Sequence, residues 1–145
     1  MSEFYKLTEG VYAAPQITVG DITDAASLGI AMVINNRPEG EEEDQTPGAE
    51  IEAAAHAAGM EYVAIPITMP ELSDVHVTAM RDSLDRAAGP VLAYCRSGTR
   101  STLLWALAQA KAGADPEEIA RAAAQAGYDV MPVRAAMEAY AASGE

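Results

Sequence analysis

The sequence has one cysteine, Cys95, in 145 residues. An internal disulfide is therefore excluded, and with it the disulfide framework of small secreted domains. Positive charge is scarce too: 9 lysines and arginines stand against 22 aspartates and glutamates, giving a formal charge of −13 and a pI near 4.4. Such a balance repels nucleic acid and anionic membrane surfaces, both of which are bound through positive patches. Any anion site must be built locally, against an unfavourable overall field. No stretch approaches the ~20 apolar residues that span a bilayer, and Met1-Ser2-Glu3-Phe4-Tyr5-Lys6 lacks a signal peptide's basic start and apolar run. A reducing cytoplasm is the expected setting. The two histidines and the lone cysteine match no zinc-ligand spacing, and no glycine motif of a nucleotide fold occurs. No cofactor is expected.

What is present suits a single domain over residues 1–145, with 50% hydrophobic residues to form its core. Segments of strand and helix character alternate, as in a layered α/β domain. Lys6-Leu7-Thr8 and Val11-Tyr12-Ala13 flank Glu9-Gly10 as an opening hairpin. Thr18 offers an N-cap, with Asp21 three residues on, to a helix from about Gly20 to Leu28. Ala31 to Asn35 reads as a buried parallel strand. Asn36 to Pro47 reads as loop, and its acidic run, Glu39 to Asp44, as a solvated one. Helix over Ala49–Ala58, strand over Tyr62–Ile65, helix over Asp74–Ala88 and strand over Val91–Tyr94 follow. Three more helices complete the chain: Ser101–Ala112, one from Pro116 to the Gly127 stop, and Pro132–Ala142. The last two read as structural cover.

The chemistry concentrates at Cys95-Arg96-Ser97-Gly98-Thr99-Arg100. A buried strand ends at Tyr94 and a short loop leads directly into a helix. Amides of such a loop converge on a common centre, and the helix adds its unpaired N–H groups and the positive end of its dipole. Gly98 permits the turn, and Arg100 supplies a planar fork for an oxyanion. A cysteine in that setting favours its thiolate. Ser101 is expected to hydrogen-bond that thiolate or assist departure from it. Arg96 is expected to steer anions in, with Ser97, Gly98 and Thr99 as binding positions. Arg37 follows the strand ending at Asn35, so it shares the sheet edge with Cys95. It is either a second anion contact or the partner of the acids from Glu39 to Asp44.

Val91 to Ser101 resembles the active-site segment of cysteine-based phosphatases and of rhodanese-type sulfurtransferases. Further matching segments are Leu7-Thr8-Glu9-Gly10-Val11-Tyr12, Asn35-Asn36-Arg37-Pro38, Gly40-Glu41, Asp44-Gln45 and the run Cys95 to Thr102. Together they resemble the beta-lactamase-hydrolase-like, phosphatase-like domain family, also described as a sulfurtransferase family. The resemblance implies a tyrosine-phosphatase-like three-layer α/β domain: a mostly parallel central sheet with helices on both faces. It also implies a possible partner, a metallo-beta-lactamase-fold persulfide dioxygenase.

Two features of the sequence favour sulfur transfer over phosphate hydrolysis. Four residues separate Cys95 from Arg100, whereas phosphatases of the tyrosine and dual-specificity type place five there, usually after a His where this chain has Tyr94. Dual-specificity phosphatases also take a proton from an aspartate roughly thirty residues before the cysteine, an application of positioned acid catalysis. Here that offset falls on Tyr62 to Thr68, with no carboxylate after Glu61. Asp74 is kept as a candidate general acid, with Glu71 and His76 weaker ones, while His56 reads as filler on a helix. The leading expectation is a sulfurtransferase that carries sulfane sulfur on Cys95 from thiosulfate or a small persulfide to an external thiol. A cysteine-dependent phosphatase is the alternative. A non-catalytic anion-binding module partnering a persulfide dioxygenase is the third.

Overall fold

The computed structural model describes residues 3–143. Its order is β1 (Tyr5–Thr8), β2 (Val11–Ala14), α1 (Val19–Ser27), β3 (Met32–Asn35), α2 (Gly48–Ala57), β4 (Glu61–Ala64), α3 (Asp74–Arg86), β5 (Val91–Tyr94), α4 (Thr99–Lys111), α5 (Pro116–Gln125) and α6 (Arg134–Ser143). Short 3-10 turns at Met69–Glu71 and Met131–Val133 carry Pro70 and Pro132. The expected elements are all present; β5 has its expected bounds, and no other end is displaced by more than two residues.

The strands form one sheet in the order β1-β2-β5-β3-β4. β1 pairs antiparallel with β2, and every other pairing is parallel. β3 and β5 are buried at every position because both of their faces are covered. Ala14, Tyr94, Asn35 and Ala64 stand in register at the carboxyl ends of β2, β5, β3 and β4. The segments that begin at Pro15, Cys95, Asn36 and Ile65 therefore leave the sheet along one edge, where parallel sheets carry their sites.

One face is covered by α1 and α2, whose Ile22, Ala25, Ile51 and Ala55 pack on Val33, Leu92 and Tyr94. The other carries α3 to α6, with α4 at the centre. From Ser101 to Ala108 every residue of α4 is buried, as expected of a helix enclosed on all sides. Local chemistry fixes the ends. Thr18 and Asp21 exchange the two bonds of a capping box, and the Asp115 carboxylate accepts from Glu117 N at the start of α5, where Pro116 takes the first position. No helix among the described residues is long and apolar enough to cross a membrane.

Candidate active site

Gly98 has φ of +92°, the left-handed region that favours glycine, and this bend turns the chain straight into α4. The helix therefore begins at Thr99, two residues earlier than the sequence suggests. Arg100 is a first-turn helical residue with a fixed direction. The loop is tied down on both sides. Cys95 N donates to Ala14 O at 3.3 Å, Gln16 N to Arg96 O at 3.2 Å, and Asn36 N to Tyr94 O at 2.8 Å.

Cys95 is buried, with 0% exposure. Its sulfur accepts from the Gly98 backbone N–H at 3.1 Å. In this conformation the residue has no solvent access, so a substrate reaches the sulfur only after the groups around it move. Ser97 Oγ donates to Thr99 Oγ1 at 3.0 Å and accepts from Thr99 N at 3.3 Å, a short local knot that holds the outer half of the loop.

Arg100 presents its fork to Glu41. Nη1 donates to Oε2 and Nη2 to Oε1, both at 2.8 Å, while Nη1 also donates to Ile67 O at 2.9 Å. Glu41 also accepts from Arg37 Nε at 2.8 Å. These guanidiniums, Arg100's hydrogen bonds first, hold the Glu41 carboxyl down at about 2 in spite of its partial burial. Arg100 is raised in return, first by Glu41, with the Cys95 sulfur adding to the effect.

Arg37 is 3% exposed. It donates to Gln16 Oε1 at 2.9 Å and to Glu42 Oε1 at 3.2 Å besides Glu41, so of its two sequence readings the acid pairing is what this conformation displays. It is no loose surface pair, because the guanidinium is enclosed and hydrogen-bonded on several sides. Arg96, exposed, pairs with Glu42 at 2.9 Å. Three guanidiniums thus share two carboxylates, and of the three it is Arg100 that also feels the Cys95 sulfur. The run Glu39 to Asp44 is therefore not simply a solvated loop. Glu41 and Glu42 return to the arginines of the site, and Glu39 accepts from Gly48 N at the start of α2.

Ser101 is fully buried, and its hydroxyl donates to Asn36 Oδ1 at 2.8 Å rather than to Cys95. Asn36 in turn donates from Nδ2 to Ile65 O at 3.0 Å. The chain Ser101–Asn36–Ile65 stitches the first turn of α4 to the ends of β3 and β4.

Asp74 lies elsewhere. Its Oδ1 accepts from Tyr140 Oη at 2.6 Å and from Lys111 Nζ at 3.0 Å. Lys111 closes α4 and Arg100 opens it, eleven residues apart, roughly 16 Å at the helical rise. The structure ties Asp74 to the far end of α4 and does not bring it to the Cys95 loop. His76 goes with it, since its Nδ1 accepts from Ser73 N at 3.1 Å and caps the start of α3. Glu71 accepts from Thr68 Oγ1 within its own turn at 3.2 Å.

Glu41, Glu42, Gln16 and Tyr128 were not singled out from the sequence. Glu41 falls within the Gly40-Glu41 segment, where the surrounding acidic run masks it. Tyr128 belongs to the tail assigned to cover, yet its hydroxyl donates to Ser97 O at 3.2 Å.

Comparison with known proteins bears on this arrangement. The family model described as "Beta-lactamase hydrolase-like protein, phosphatase-like domain" matches residues 3–112. A beta-lactamase hydrolase-like protein of Agrobacterium fabrum is 34% identical over 108 residues, 74% of this chain and 25% of the relative. The chain spans about a quarter of the length of such curated relatives. Among solved structures, a candidate phosphatase from Neisseria meningitidis superposes with a TM-score of 0.85 at 36% identity, covering 97% of this chain and 99% of the other. A candidate phosphatase from Shewanella putrefaciens, at 20% identity, shares the fold with a TM-score of 0.77 over 100% and 95% of the two chains.

Proposed function

The chain belongs to the beta-lactamase hydrolase-like protein, phosphatase-like domain family, and on that footing we propose that it is a cysteine-dependent phosphatase acting on aryl phosphates through a Cys95 phosphocysteine. The observation that carries this reading is one turn of chain: the Cys95 sulfur takes the Gly98 N–H at 3.1 Å, and Arg100 on the same turn is held by Glu41. The thiolate attacks phosphorus, so that an S–P bond forms as the P–O bond to the aryl group breaks. Loop amides and the guanidinium offset charge on the phosphoryl oxygens. Water then attacks the phosphocysteine, the S–P bond breaks, and phosphate leaves as the thiolate returns.

The leaving group sets the substrate class. Asp74 is remote, and Glu41, held at about 2, carries no proton to give near neutral pH. A phenolate, with a pKa of ~10, departs without a placed acid far more readily than an alkoxide. Aryl phosphates should therefore turn over and alkyl phosphates barely.

Sulfur transfer is the second reading, favoured by the four residues between Cys95 and Arg100 and by the same lack of an acid. Cys95 would attack the outer sulfur of thiosulfate, forming a persulfide as sulfite leaves, and an external thiol would take that sulfur and free the thiolate. A persulfide dioxygenase is the partner suited to consume the product. One experiment ranks the two. The protein is given p-nitrophenyl phosphate, and separately thiosulfate with cyanide, while intact mass is followed. Phosphate release lost in Cys95→Ser supports the first reading. A one-sulfur adduct on Cys95 with thiocyanate formation and no phosphate release overturns it in favour of the second. Neither activity leaves only anion binding, and turnover that persists in Cys95→Ser refutes both.

A further inference from the structure

The contact from Tyr128 lands on a peptide unit that also reaches the sulfur. The Ser97 carbonyl and the Gly98 amide belong to one peptide bond, and in the trans form its C=O and N–H point in opposite directions. On one side Tyr128 Oη donates to Ser97 O at 3.2 Å, and on the other Gly98 N donates to Cys95 Sγ at 3.1 Å. We propose that Tyr128 is a positioning residue for Cys95, orienting and polarising the Ser97–Gly98 peptide whose N–H faces the sulfur. This rests on the reading of Cys95 as the nucleophile.

Tyr128 is aimed by the way α5 ends. Gly127, at φ +95°, sends its N–H to Ala124 O at 3.0 Å, and Tyr128 N bonds Ala123 O at 2.9 Å. These are the two bonds of a Schellman stop, so the tyrosine leaves the helix in a fixed direction. Its ring meets Tyr5 edge-on, with centroids 6.0 Å apart at 80°. It also lies close against the loop: a Cβ built on Gly98 would stand 2.1 Å from Tyr128 Oη. Burial first, and then the charge of Cys95, raises its phenol to about 12, so it keeps the proton it donates. A donor on the carbonyl strengthens the N–H of the same peptide as a donor, because hydrogen bonds in series polarise one another. The thiolate gains more from this than the thiol. Tyr128 lies beyond residues 3–112, so the family match does not include it.

With one cysteine in the chain, thiolate absorbance read below the pH range of tyrosine ionisation reports Cys95. In Tyr128→Phe the ring stays and the hydroxyl goes. The thiolate titration and the pH profile of iodoacetamide alkylation should both move to higher pH, with kcat/KM down about two- to tenfold below the new midpoint. Tyr128→Leu should lose more thermal stability while shifting the titration no further. An unmoved profile in Tyr128→Phe, or a shift confined to Tyr128→Leu, overturns the proposal. The titration needs no substrate, so its outcome stands apart from the reaction assigned to Cys95.

Discussion

Glu41 and Arg100 form a two-pronged ion pair across 59 residues of sequence, each carboxylate oxygen accepting from one terminal guanidinium nitrogen at 2.8 Å. Parallel double bonds of this kind fix the plane of the guanidinium as well as its place. Arg37 anchors the same carboxylate from behind, so the acidic loop acts as a strut between the end of β3 and the first turn of α4.

Glu41→Gln should weaken that strut. Loss of a charged, hydrogen-bonded partner predicts a fall in kcat/KM of about 10- to 100-fold. A rise instead would mean that the carboxylate obstructs the site rather than orienting Arg100. The pH dependence of stability has a definite sign. The folded-state carboxyl is depressed to about 2, so its contribution is complete above its unfolded value of ~4.3 and is lost as pH falls through about 2. Melting curves of the wild type and Glu41→Gln should therefore differ at neutral pH and converge in acid.

Arg100→Lys keeps the charge and loses the fork. One ammonium cannot reproduce parallel bonds to both Glu41 oxygens together with the bond to Ile67 O. By analogy with loss of an oxyanion donor, kcat should fall on the order of 100- to 1,000-fold. Steady-state kinetics on an aryl phosphate would show this, and an unchanged kcat would remove Arg100 from the chemistry.

Asp74→Asn should leave turnover intact and lower the melting temperature. The carboxylate accepts from Tyr140 and Lys111, and those bonds, Tyr140's first, hold it below the usual aspartate range. Its stabilisation is present above ~3.9 and fades as pH drops further. A loss of activity on the order of 100-fold, the scale of a missing general acid, would return Asp74 to the mechanism.

Much of this protein follows from local rules written along the chain. Short apolar runs, the Thr18–Asp21 box, Pro116 and the Gly127 stop act over a few residues, so sequence alone marks the α/β alternation and most element ends. The strand–Cys95–Gly98–helix turn is equally local, and the nucleophile candidate and its arginine are legible from it. The parallel order β2-β5-β3 also makes it predictable that Arg37 and Cys95 share an edge. The partners of those side chains were not legible, because each contact joins segments distant in sequence. The pairing of Glu41 with Arg100, the diversion of the Ser101 proton to Asn36, the removal of Asp74 to the far end of α4 and the arrival of Tyr128 on Ser97 all depend on how helices pack over the sheet. An acidic run looks the same in one dimension whether it faces water or a guanidinium. Only the fold supplies the distance that separates those two fates.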